Sequence, residues 1–452
     1  MRRLADGARW LQLRLQRPRA TLWLLGALSA GSLIARLLYL DKPYNGTAHK
    51  YGLVFDEQYY VNAARVILGI HPTAGSHYAG AALYHDPNAE HPPLVKLLIA
   101  TTMRIFGDNP NGWRVSAVIF GSLAILAMYW LVRSARGSAW LALAAATLMA
   151  VDNLTFIHER IATLDIYVLT LMLVTVALYL RGHMWLAGLA LGIGLCMKLV
   201  AVDVVFVLLL FEGGRLLWRN GDELRTRTQM ARERAIPFVK VIGTGAVTYF
   251  ALLFLMDLLV APIGGPGDCP TVNGGFHNPI VHTLFMTCYA GKLTSPGGPT
   301  GIASYPWQWL LNQESINYYT LTTRVVSGGK TIAHNVVMFQ GQMNGAIIFL
   351  ALPALGVALH SVRRLGDTFS LLALAWFAGT FVPFVIAALP LGTVGSRTSY
   401  LYYMVVVLPA VFMAVVQMLA KPRFPLAALM GYAAIVAYGF VALYPIRSWS
   451  GG

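Results

Sequence analysis

Charge is scarce in this chain, and acid is scarcer than base. Only 12% of the 452 residues are charged, 19 Asp and Glu against 34 Lys and Arg, about half the fraction usual in a soluble domain. That deficit excludes a soluble globular chain, and the high apolar content excludes a disordered one. Cysteine is limited to three residues, too few for a disulfide-built scaffold. There is no internal repeat, no low-complexity tract and no polar stretch long enough for an appended soluble domain. No small-residue cleavage pattern follows the basic start MRRLADGARWLQLRLQRPRA, so that segment reads as an anchor leading into a full-length span.

What the chain has instead is apolar surface: 57% of residues are hydrophobic and the mean hydropathy is +0.60. Apolar runs recur at 21–40, 114–133, 138–151, 165–181, 185–198, 203–212, 238–260, 336–360, 369–389, 403–420 and 424–444. Helices satisfy their own backbone in lipid, so these runs predict an all-α polytopic membrane protein with about eleven transmembrane helices. It is expected to be one transmembrane domain over 1–452. The net charge of +15 does not indicate a nucleic-acid partner, because its distribution follows the membrane. With the N-terminus cytoplasmic, the segments 1–20, 133–137, 181–184, 213–240, 361–367 and 421–423 hold 20 of the 34 Lys and Arg residues, the positive-inside bias. The basic loop 213–237 then reads as an interfacial hairpin near anionic lipid. Two long loops, 41–113 and 261–335, fall on the extracytoplasmic side.

Those outer loops hold most of the polar chemistry. GLVFDEQYYVNAARVILGIHP (Gly52–Pro72) places Asp56 and Glu57 in the first turn of a short amphipathic helix, with Tyr60, Ala63, Ala64, Ile67 and Leu68 on one face. Acids there are favoured by the helix dipole and could serve only to start the helix. In LYHDPNAEHPPLVKLLIATTMRIFG, His91-Pro92-Pro93 forces an extended entry into a second helix, with Lys96 one turn in. His71, His77, His85, Asp86, Glu90 and His91 match no closed ligand spacing, so no metal is expected. Farther on, Asp152, Glu159, Arg160 and Asp165 cluster where two spans meet the outer face, and Lys198 falls at the same level. Such groups either pair with one another or face a cavity. ASYPWQWLLN places Trp307 and Trp309 as a sugar-stacking wall or as headgroup anchors. GSRTSYLYYM brings Arg397 and three tyrosines, Tyr402 among them, to the end of a span. Cys269 and Cys288 share the second outer loop; in an oxidising compartment they can bridge or stay free.

FDEQYY, HPPLVKLLIA, GWRVSAVIFG, AVDNLTFIHERIATLD, GLCMKLVAV, SYPWQWLL and RTSYLYYMVVVLPA, in this order, resemble the protein O-mannosyltransferase family of GT-C glycosyltransferases over most of the chain. Val95 stands where that family usually has Gly. The late outer loop has no room for the β-trefoil insert of eukaryotic members, which points to a prokaryotic type. The resemblance implies a GT-C fold and transfer of mannose, with inversion, from a polyprenyl (dolichyl-type) monophosphate to Ser or Thr hydroxyls of proteins. It implies no cofactor, and a prokaryotic plasma membrane with the site facing outward, or the lumenal face of the endoplasmic reticulum in a eukaryote. Asp56 is then the expected base, with Glu57 orienting the acceptor or the helix start. Arg160, Lys96 and Arg397 are the expected phosphate ligands. His91, Asp152, Asp165, Lys198, Trp307, Trp309 and Tyr402 are expected around the pocket. Two alternatives stay open: the same donor with a lipid A, cell-wall glycan or glycolipid acceptor, and a lipid-linked-sugar transporter. The transporter reading lacks the inverted repeats and midplane site that alternating access uses.

Overall fold

The computed structural model describes residues 18–45, 50–217, 227–263, 269, 278–327, 330–391, 394–421 and 424–444. Residues 1–17 of the expected cytoplasmic N-terminal segment and the middle of the basic loop lie outside them. Helices stand at each expected span: α1 (Pro18–Leu37), α4 (Pro110–Ser134), α5 (Ala139–Val151), α7 (Asp165–Leu180), α8 (Met184–Met197), α9 (Asp203–Leu217), α10 (Arg227–Leu259), α14 (Ala351–Leu365), α15 (Thr368–Ala388), α16 (Met404–Leu419) and α17 (Leu426–Ala442). Six helical segments of the described residues are long and apolar enough to cross a membrane, and four more are shorter apolar helices. Between the spans lie α2 (Glu57–Ile67), α3 (Leu94–Phe106), α6 (Asn153–His158), α11 (Pro279–Lys292), α12 (Pro306–Leu310) and α13 (Gly345–Ile348).

Two placements differ from the sequence reading. The span expected to begin at 336 starts later, because an antiparallel hairpin, β3 (Ile316–Ser327) and β4 (Lys330–Gly341), occupies its first residues. Val336 and Val337 pair with Leu321 and Thr320, and Asn344 caps the helix that follows. An apolar β-branched run reads alike as strand or helix in hydropathy. The second difference is α2. It is amphipathic as expected, yet both faces are largely covered, with Tyr60, Val61, Asn62, Ala63, Ala64 and Val66 all buried. It packs under the loop rather than lying on a free surface.

The bundle is close-packed. α16 is buried almost from end to end. Gly188 and Gly192, one turn apart on α8, allow α10 to approach. A Cβ at Gly192 would sit 2.6 Å from the Gly245 carbonyl oxygen, and one at Gly188 would sit 2.8 Å from that of Val241. This small-residue contact is a membrane-helix device.

The first loop is tied to the bundle by one buried ion pair. Arg114, in the first turn of α4, donates from Nε to Glu57 Oε1 and from Nη2 to Glu57 Oε2, both at 2.7 Å. Its remaining donors take the carbonyls of Leu40, Lys42 and Gly52. Glu57 also accepts from the amides of Val54 at 2.7 Å and Ala162 at 2.9 Å. In the second loop, Cys269 and Cys288 form a disulfide that ties the preceding segment to α11. His282 of α11 lies between Asp257 of α10 and the Ala89 carbonyl oxygen, at 2.9 and 3.0 Å.

Removing one member of a buried pair leaves an uncompensated charge. Glu57→Ala should therefore cost about 3–5 kcal/mol, seen as a large drop in melting temperature of the purified protein, and an unchanged melt would show that the pair does not hold the loop. The bridge closes a loop of sequence separation 19. Cys288→Ser should lower stability by roughly 3 kcal/mol, and a reductant should bring the parent protein down to the same melting point.

Candidate functional site

A cavity of about 680 Å³ opens beside the start of α2. Asp56 is placed there by an unusual backbone. Phe55 adopts φ 54°, a left-handed conformation that a bulky residue takes only when its surroundings impose it. The surroundings are visible. The Phe55 amide donates to the Tyr318 carbonyl at the root of β3 at 3.1 Å, and its ring stacks on Tyr318 with centroids 4.2 Å apart. The chain then turns into α2 with Asp56 at the N-cap position, but its carboxylate makes no capping hydrogen bond. It lines the cavity instead, half-buried.

Two cations line the same cavity. Lys198, at the end of α8, lies 2.6 Å from Asp165 Oδ1 and 5.3 and 5.5 Å from the ring centroids of Tyr402 and Tyr403. Arg397 is held by a backbone bridge to Thr294 and donates from Nε to the Ala290 carbonyl at 3.0 Å. His91 and Tyr402 complete the set of expected residues that reach the cavity. Burial, reinforced by the Asp165 charge and opposed by Lys198, raises the Asp56 carboxyl from its usual range to about 7. His91 is held well below its ordinary value, first by burial and then by the charges of Lys198, Lys96 and Arg397. It is a neutral imidazole near pH 7. The cavity therefore offers a carboxyl poised to exchange a proton at neutral pH beside two positive charges. That is the equipment for deprotonating a hydroxyl while an anion departs.

Six of the expected site residues lie elsewhere. Glu57 is fully buried on Arg114 and the backbone amides, so it organises the loop and cannot reach an acceptor. Arg160 turns away from the cavity: Nη2 donates to the carbonyls of Leu38 and Tyr39 at 2.9 Å, and its guanidinium lies 5.9 Å from the rings of Phe156 and Tyr444. Lys96 is fully buried, with Nζ 2.5 Å from Asp86 Oδ2 and donating to the carbonyls of Asn88 and His91. It shapes the loop that carries His91. Neither cation is among the residues that line the cavity. Asp152 caps α6 through the Thr155 amide at 2.9 Å and accepts from the Asn344 amide at 3.0 Å. Trp309 is fully buried, donating to Ser304 Oγ at 2.8 Å, and its ring meets that of Tyr403 edge-on. Trp307 stacks on Tyr305 outside the cavity.

The cavity also contains two acids that the sequence reading did not place at the site. Asp203, the first residue of α9, lines it although buried, and its Oδ2 has no hydrogen-bond partner. Glu90 lines it as well, raised by burial and accepting from Asn88 Nδ2 at 2.9 Å. An acid at the mouth of the apolar run VAVDVVFVLLL was the available signal for Asp203.

A family model described as dolichyl-phosphate-mannose-protein mannosyltransferase matches residues 90–231. A polyprenol-phosphate-mannose–protein mannosyltransferase of Corynebacterium glutamicum is 24% identical over 405 residues, 79% of this chain and 75% of its own length. One from Mycolicibacterium smegmatis is 23% identical over 486 aligned positions, 95% of this chain and 90% of its own. Among solved structures, the Saccharomyces cerevisiae protein O-mannosyltransferase Pmt1–Pmt2 complex bound to the sugar donor superposes with a TM-score of 0.66 at 12% identity, over 98% of this chain and 91% of that one. ArnT from Cupriavidus metallidurans bound to undecaprenyl phosphate gives 0.52 at 18%, over 94% and 65%. Sequence and fold thus point the same way: over most of its length the chain is similar to polyprenol-phosphate-mannose–protein mannosyltransferases, and its fold is that of a protein O-mannosyltransferase.

Proposed function

We propose that this integral membrane protein transfers a mannosyl residue from a polyprenyl-phosphate donor to Ser or Thr hydroxyls of protein acceptors. The observation that carries the reading is the Asp56 carboxyl, free of hydrogen bonds among the described residues and facing one cavity with Lys198 and Arg397. The names of the relatives supply the donor and acceptor classes.

In this reading the carboxylate of Asp56 takes the proton of the acceptor hydroxyl as its oxygen forms a bond to the anomeric carbon. The bond from that carbon to the phosphate oxygen breaks, and its electron pair leaves with the prenyl phosphate. Attack opposite to departure inverts the anomeric centre. The leaving group is stable as an anion, so no protonated carboxylic acid is needed. Arg397 and Lys198 balance the phosphate charge. The unpartnered Oδ2 of Asp203 accepts a sugar hydroxyl, which is a hydrogen donor that the phosphate lacks. Leu199, Val200, Val202 and Phe384, on the same wall, receive the first prenyl units. The basic ends of α4, α7, α9 and α14 lie away from Asp56, which supports a site facing outward from a prokaryotic plasma membrane.

With labelled polyprenyl-phosphate mannose and a Ser/Thr-rich peptide, Asp56→Asn should cut transfer by roughly 10²–10⁴-fold and leave donor binding and the melting temperature near those of the parent. Label on lipid or glycan but never on peptide would replace the acceptor class. Only the ionised form of Asp56 is a base. Since its carboxyl is raised to about 7, kcat/KM should climb with pH through about 7 and level off above it; a limb near 4 would remove Asp56 from the role. Arg397→Ala should weaken donor binding. Asp203→Ala should lower kcat/KM for the donor by about tenfold, the loss of one hydrogen bond, with less effect on a donor lacking the matching hydroxyl.

A further inference from the structure

A second cleft, of about 600 Å³, opens at the other end of the bundle. Arg114, at the Asp56 end of α4, is twenty residues from Ser134, which lines this cleft. At 1.5 Å per residue the two lie about 30 Å apart, the thickness of a bilayer core. The cleft therefore sits at the opposite membrane surface and shares no residue with the cavity at Asp56.

Arg136, Arg215, Arg363 and Arg364 line it. Arg215 is committed in part to Glu212, 3.0 Å away, and Arg234 binds the same carboxylate. Asp367, the acid of the lining, is also spent: it accepts from the Phe369 amide at 3.1 Å, Ser370 Oγ at 2.6 Å and Gln417 Nε2 at 2.8 Å. Arg136, Arg363 and Arg364 are exposed and have no ion pair among the described residues. The helix ends that meet here favour cations, but their final turns are already closed, as by the Gly366 amide on the Val362 carbonyl. The guanidinium donors are left over. Arg136 is held in left-handed backbone at φ 65°. Beside the arginines the lining includes an outward-facing apolar side chain, Leu365, which is 77% exposed.

We propose that this cleft binds the phosphate headgroup of an anionic phospholipid from the surrounding leaflet, with three guanidinium groups on the phosphate and Leu365 against an acyl chain. Uncompensated arginines match a phosphate bidentately, and leucine at their side suits an amphiphile rather than a free ion. The inference rests on the protein's placement in a membrane and is independent of the transferase reading.

The test is lipid retention by native mass spectrometry of the full chain, purified from mixed phosphatidylglycerol and phosphatidylcholine. Three proteins are compared: the parent, Arg136→Gln/Arg363→Gln/Arg364→Gln, and a charge-matched control, Arg104→Gln/Arg232→Gln/Lys240→Gln, altered at exposed positions outside the cleft. The parent and the control should retain phosphatidylglycerol preferentially, and the cleft variant should lose that preference by at least about tenfold. Its melting temperature in zwitterionic detergent should match the parent's. Equal loss in the control, or none in the cleft variant, would reduce the effect to general surface charge and overturn the site. Inorganic phosphate that displaces the lipid at equal concentration would overturn the lipid assignment in favour of a soluble anion.

Discussion

The site depends on a charge pair that takes no part in the proposed chemistry. Arg114 and Glu57, both buried, bring the first loop, the first turn of α4 and the Ala162 amide to a single point. Burying two ions costs several kcal/mol each unless every remaining donor and acceptor is satisfied. Here the Leu40, Lys42 and Gly52 carbonyls and the Val54 amide meet that condition. The acid next in sequence is thereby freed from structural duty. Of two adjacent carboxylates, one is locked in the wall and the other faces the cavity unbonded, which separates their chemistry as different surroundings do in other acid pairs.

The same division runs through the other polar residues. Lys96 and His91 are five positions apart; the lysine is buried on carbonyls of the loop and the histidine looks into the cavity. Asp152 caps a helix, while Asp165 holds Lys198 under the tyrosines. Trp309 backs Tyr403, and the tyrosines make the wall. Lys198, the loop that carries His91, and Tyr403 are thus each held by a buried neighbour. Supporting groups held this firmly are what positioning catalysis uses.

Much of this was legible in the sequence. Apolar runs of bridging length marked the helices, because lipid leaves the backbone few alternatives. The motif order pointed to the mannosyltransferase resemblance and to the loops that line the cavity. What periodicity could not convey is which way a charged side chain turns once it leaves a regular helix. Arg160 follows α6 by two residues, and the turn there sends it to the carbonyls of Leu38 and Tyr39, more than 120 positions earlier. Asp203 escaped for the opposite reason, since an acid opening an apolar run is easily read as a helix start. The β3–β4 hairpin was hidden because the end of its second strand, Val336–Phe339, is as apolar as the span beside it.

Phe55 and Tyr318 are separated by most of the chain, yet the amide of one and the carbonyl of the other fix the backbone from which Asp56 projects. A growing polypeptide cannot make that bond until the ribosome has passed residue 318 and the intervening helices have entered the bilayer. Arg114 and Glu57 can meet far earlier. The partners that anchor the acidic loop are thus available early in synthesis and the one that sets the Phe55 backbone only late, so a nascent chain stalled before the hairpin lacks the geometry on which the proposed chemistry relies.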